Sequence, residues 1–111
     1  MRVLIDENLP ERLFKDFVRH KAITVAYAGW KGKENGELIA AMQQSGVEVL
    51  VTLDKNLQFQ QNFKAYPIIV VVIHAQKTEY IKLKPLVYKI EDLLDTAPSA
   101  GVYIIEQPHY R

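Results

Sequence analysis

The chain is predicted to fold as one α/β domain spanning residues 1–111, a three-layer α/β/α arrangement around a five-stranded, mostly parallel sheet. Three observations carry that prediction. Short runs rich in β-branched residues alternate with segments of helical periodicity, the signature of repeated β-α units. The run Ile68-Ile69-Val70-Val71-Val72-Ile73 shows no polar alternation, as expected of a central strand covered on both faces. A length of 111 residues, 49% apolar and 24% charged, suits a single hydrophobic core and argues against disorder.

The elements follow in order. Arg2-Val3-Leu4-Ile5 reads as strand one. Asn8 is placed to cap a helix, with Pro10 in its first turn and Glu11 three residues on, and Leu9, Leu13, Phe14, Phe17 and Val18 recur at helical spacing. Arg19, His20 and Lys21 suit that helix's negative end. Ile23-Thr24-Val25-Ala26-Tyr27 reads as strand two. A loop, Gly29-Trp30-Lys31-Gly32-Lys33-Glu34, leads to Asn35 as cap of a helix bearing Leu38, Ile39 and Met42, which Ser45-Gly46 ends. Val47 to Leu53 is strand three, followed by a short helix carrying Phe59 and Phe63 and stopped by Pro67. After strand four, Leu83, Leu86, Val87, Ile90, Leu93 and Leu94 form a helix stripe, with Pro85 near its start and Pro98 beyond its end, and Val102-Tyr103-Ile104-Ile105 is strand five.

Composition narrows the function classes. The net charge is +1, so a nucleic-acid binder of this balance needs a local basic patch. With no cysteine, disulfides, thiolate metal sites and thiol catalysis are excluded. The longest strongly apolar stretch falls far short of the roughly 18 residues that span a bilayer, and the first apolar run is interrupted by Asp6, unlike a secretory signal. A cytoplasmic protein without a membrane partner is expected.

Two acidic motifs stand out. Leu4-Ile5-Asp6-Glu7-Asn8-Leu9 and Val51-Thr52-Leu53-Asp54-Lys55-Asn56 each follow a strand, placing Asp6 and Asp54 at carboxyl ends, where open α/β sheets form their ligand crevice. Adjacent strands lie about 4.8 Å apart, so the two carboxylates can share a cation if strands one and three are neighbours. Glu37 starts the helix after strand two and belongs to the same rim, and Glu7, Glu34 and Asn56 are further oxygen donors there. Mg2+ or Mn2+ with several retained waters fits such a set, and phosphodiester hydrolysis is the chemistry it supports. The competing reading is structural, because Asp and Asn after a strand are frequent caps. Asn8 and Asn56, two residues later, are better placed to cap than the aspartates. An acid at Glu37 is favourable in a first turn without any ligand.

Basic and aromatic residues share this rim. Lys31, Lys33 and Lys55 could hold phosphates, and His74, directly after strand four, could reach a phosphate or the acids. His109, Tyr110 and Arg111 follow strand five. Solvated lysines, a Trp30 covering the core edge and a backbone-bonded His74 are the plainer alternatives. No glycine-rich phosphate loop and no serine nucleophile motif is present.

The chain resembles the short stand-alone PIN-like family, presumed ribonuclease toxins. The resemblance rests on Leu4-Ile5-Asp6-Glu7-Asn8-Leu9, Asn35-Gly36-Glu37-Leu38-Ile39 and Val51-Thr52-Leu53-Asp54-Lys55-Asn56-Leu57, in that order over most of the chain. It implies a metal-dependent endoribonuclease, the toxin of a toxin–antitoxin pair, with RNA as substrate and a cognate antitoxin as partner. Asp6, Glu37 and Asp54 would be its metal-binding, catalytic acids. Asn35 and Asn56 stand where such proteins usually have aspartate, and bring a carbonyl oxygen without charge.

Two alternatives come from other classes. A PIN-like module that has lost catalysis would bind without cutting, as the neutral Asn35 and Asn56 suggest. A receiver domain shares the β-α alternation, with Asp6, Glu7 and Asp54 as its acids, but strand five ends Glu106-Gln107-Pro108, without the lysine a receiver needs. An exposed Val102-Tyr103-Ile104-Ile105 edge could also pair two copies in a homodimer.

Overall fold

The computed structural model describes residues 1–59 and 67–109. Its strands are β1 (Arg2–Ile5), β2 (Lys21–Thr24), β3 (Val49–Thr52), β4 (Ile69–His74) and β5 (Gly101–Glu106). They form one all-parallel sheet in the order β2-β1-β3-β4-β5. Helices α1 (Val25–Ala28), α2 (Asn35–Gln44), α3 (Tyr80–Leu83) and α4 (Leu86–Asp95), with 3-10 turns at Glu11–Asp16 and Lys55–Phe59, connect them.

Alternation along each strand builds two cores. Val3, Ile5, Val49, Val51, Ile69, Val71 and Ile73 face Leu13, Leu83, Leu86, Ile90 and Leu94. Leu4, Leu50, Val70 and Val72 face Val25, Leu38, Ile39, Met42 and Leu57. A parallel sheet covered on both faces reads as continuously apolar, which is why β4 was legible without alternation. Among the described residues no helix is long and apolar enough to cross a membrane.

Several boundaries differ from those expected. The stretch after β1 forms a six-residue 3-10 turn whose N-cap is Pro10, with no side-chain cap, and Phe14 and Val18 are exposed. Strand two ends at Thr24, because its hydroxyl accepts the Tyr27 amide (3.0 Å) and starts α1, which Gly29 ends at φ 77°. Strand three is shorter than expected, beginning at Val49. The long final helix is divided at Lys84-Pro85; proline has no N–H to continue the ladder. The expected pairing of Phe59 with Phe63 lies outside the described residues, as do Tyr110 and Arg111.

Gly46 ends α2 as expected, with φ 73°. An added Cβ would meet only Arg2 Nη1, at 3.5 Å. Gly46→Ala is therefore expected to cost about 1 kcal/mol, from the left-handed backbone alone, read by urea denaturation.

The amino-terminal edge of the sheet is closed by a charge cluster. Glu91, 1% exposed, accepts the Arg19 and His20 amides at 2.7 and 3.1 Å. The Arg19 guanidinium bonds Asp92 at 3.0 Å and also Asp95, which His20 Nε2 contacts at 2.8 Å. The Asp92 hydrogen bond raises the Arg19 pKa above its ordinary value. Arg19 and His20 thus serve α4, not the end of the first helical segment.

Candidate functional site

The strand order reverses direction between β1 and β3. From β1 the chain crosses to β2 on one side, then returns past β1 to build β3, β4 and β5 on the other. That reversal is the switch point at which open α/β sheets leave a crevice beyond their carboxyl ends. Asp6 and Asp54 follow β1 and β3, so the adjacency their shared role requires is present.

Asp6 extends the β1–β3 ladder by one bond, its amide donating to the Val51 carbonyl at 3.0 Å. Its neighbour across the gap is Thr52, fully buried at the end of β3. The Thr52 hydroxyl donates to Asp6 Oδ2 (2.7 Å) and accepts from Asn8 Nδ2 (3.1 Å) and the Asp54 amide (3.0 Å). One donor and two lone pairs are thereby all used. Asn8 completes the staple, its Oδ1 accepting the Leu53 amide at 3.1 Å. Asp6 Oδ1 accepts the Glu7 amide (2.8 Å), and Asp54 Oδ1 accepts the Asn56 amide (2.9 Å).

These bonds reassign the expected caps. Asn8 caps no helix and instead ties the loop after β1 to the loop after β3. Asn56 donates its amide to Asp54, so Asp54 caps the turn that follows, and its carboxylate is both structural and available at the rim. At α2 the N-cap is Glu34, not Asn35. Glu34 and Glu37 form a reciprocal capping box, with the Glu34 amide 3.4 Å from Glu37 Oε1.

A small cavity of about 160 Å³ opens beside Asp6, lined also by Glu7, Glu11, Thr24 and Lys31. Lys31 reaches it because its loop is docked: the Gly32 amide donates to Glu7 Oε1 at 3.0 Å, and Gly32 turns the backbone at φ 79°. Trp30 is half-buried and packs on the core edge, the plainer of its two readings. Lys33 and Lys55 are exposed on the same side of the sheet's end. His74, half-buried, ends β4, and like Asp54 it stands two residues past a paired position, Val72 opposite Thr52. Its carbonyl accepts the Gln107 amide at 2.9 Å.

Gln107 carries no signal in the sequence and yet organises this rim. Buried, it accepts the Gln76 and Lys77 amides, each at 3.0 Å, and donates to the Lys77 (2.8 Å) and Lys82 (3.2 Å) carbonyls. The loop after His74 is fixed by one side chain.

Asp6 and Asp54, which follow neighbouring strands, are carboxylates of the kind that suits a hard divalent cation with retained water. Among the described residues no three His, Cys, Asp or Glu side chains converge on one point. Asp6 and Asp54 are the pair at the switch point, and Glu37 is engaged with Glu34. No family model, curated protein or solved structure matches the chain.

Proposed function

We propose that this rim is the metal centre of a Mg2+- or Mn2+-dependent endoribonuclease of PIN-like type, the toxin of a toxin–antitoxin pair in the cytoplasm. The observation that carries the reading is the position of Asp6 and Asp54 after adjacent strands at the switch point. Bound there, the ion supplies Lewis acidity for phosphodiester hydrolysis. Asp6 and Asp54 hold it. Thr52 and Asn8 orient Asp6, as outer partners of metal-binding carboxylates commonly do. Lys31, beside Asp6, meets a phosphate oxygen, and Lys33, Lys55 and His74 extend the basic path for RNA. Glu7 fixes the Lys31 loop, and Glu37 is a further acid at the start of α2. Its partners are RNA, a cognate antitoxin and a second copy of itself.

A second reading, a PIN-like module that binds without cutting, is favoured by one observation. The Glu37 carboxylate is engaged in a capping box, and the neighbouring Asn35 and Asn56 add no charge. Purified protein incubated with Mn2+ and a mixed RNA pool separates the two. Metal-dependent fragments that vanish on chelation support the nuclease. Intact RNA in the presence of bound Mn2+ supports the silent module.

A further inference from the structure

We propose that two copies of the chain join through β5, paired antiparallel about a two-fold axis centred on Ile104. The sheet has two edges, and they are built differently. β2 has four residues, carries Lys21, and turns directly into α1. β5 has six residues without proline, lysine or bulge, and its Ile104 side chain is 46% exposed. Edge strands are ordinarily blunted by such devices, and β5 has only the charge of Glu106, at its last position.

Hydrogen bonding on the covered side of β5 dictates how the free side can pair. The Gly101 and Gln107 amides donate inward, to the Ile68 and His74 carbonyls. Alternation then directs Tyr103 and Ile105 inward as well, and leaves the N–H and C=O groups of Val102, Ile104 and Glu106 on the free edge. Two antiparallel copies must oppose outward residues with outward residues. Centring on Ile104 opposes Ile104 with its own copy and Val102 with Glu106, which uses every outward group of the strand. Centring on Tyr103 instead opposes Val102 only with Ile104 and leaves Glu106 without a partner in the strand. The favoured register also covers the two exposed Ile104 side chains with each other, on the face where Val102 already packs. Both Glu106 carboxylates fall at opposite ends of the pair, so no like charges meet. The result is a continuous ten-stranded sheet whose two Asp6–Asp54 rims open in opposite directions. The dimer does not depend on the chemistry of either rim.

The absence of cysteine makes the register directly testable. Hydrogen-bonded antiparallel pairs have Cα atoms about 5.5 Å apart, within disulfide range. Under mild oxidation Ile104→Cys is expected to form a covalent dimer at least about tenfold faster than Val102→Cys or Tyr27→Cys, the last 83% exposed beyond the other edge. Light scattering should give the mass of two chains for the unsubstituted protein and of one chain for Ile104→Lys. Equal crosslinking rates for the three cysteine variants would overturn the register. A single-chain mass for the unsubstituted protein at millimolar concentration would overturn the dimer.

Discussion

Asp6→Asn and Asp54→Asn are each expected to lower Mn2+-dependent RNA cleavage by about a hundredfold or more, while the protein stays folded. Outer partners of a metal ligand are worth about 10- to 100-fold, so removing a ligand's charge lies at or beyond the top of that range. The amide is nearly isosteric with the carboxylate and keeps an oxygen for the bonds that matter to the fold. In Asp6→Asn that oxygen still accepts from Thr52 while the exposed bond from the Glu7 amide is given up, and in Asp54→Asn it still accepts the Asn56 amide. The loss at Asp6 is that one exposed bond together with the charge of the remaining acceptor, about 1–2 kcal/mol. Cleavage assays beside urea melts check both halves. Cleavage that falls only in proportion to the unfolded fraction would assign the aspartates to stability.

Thr52→Val should act on stability and activity together. The shape is nearly conserved at a fully buried site, but the hydroxyl is removed. The Asp54 amide and Asn8 Nδ2 lose their acceptor, and Asp6 loses the donor that orients it. Leaving such groups without partners costs about 1–3 kcal/mol. Losing an outer partner of a metal-binding carboxylate costs about 10- to 100-fold in metal affinity or cleavage. Thr52→Ser restores the hydroxyl and should recover most of the activity. A Thr52→Val protein with normal metal affinity would show that the staple serves the fold alone.

How far the site was legible depended on the range of each interaction. Asp6 and Asp54 were readable because each directly follows an apolar strand, a local pattern. Their adjacency was not, since the order of parallel strands is set by which crossovers pack on which face. Thr52 and Asn8 stayed hidden because their partners lie more than forty positions away, and a hydroxyl ending a strand carries no signature. Gln107 was hidden likewise, its side-chain partners lying 25 to 31 positions away.

The fold shows the same division. β4 announced itself as a strand buried on both sides. Val25-Ala26-Tyr27 resembled strand by propensity, but the Thr24 hydroxyl and the left-handed Gly29 enclose a helical turn there. The apolar stripe after β1 resembled an α-helix, yet it forms a six-residue 3-10 turn in which Leu13 is buried and Phe14 is exposed. Asn8 and Asn56 were expected to cap helices because Asn commonly does; Asn8 instead bonds across to the loop after β3, and the Asn56 amide is itself capped by Asp54.

On the proposed function, Asp6 and Asp54 together hold a divalent cation. Titrating Mn2+ into 15N-labelled protein and following the loss of amide signals tests it most directly. Broadening is expected to begin at residues 6–8 and 53–56, to spread to the Lys31 loop, and to disappear in Asp6→Asn. Broadening centred on the opposite acidic cluster, Glu91, Asp92 and Asp95, or none at any Mn2+ concentration, would contradict it.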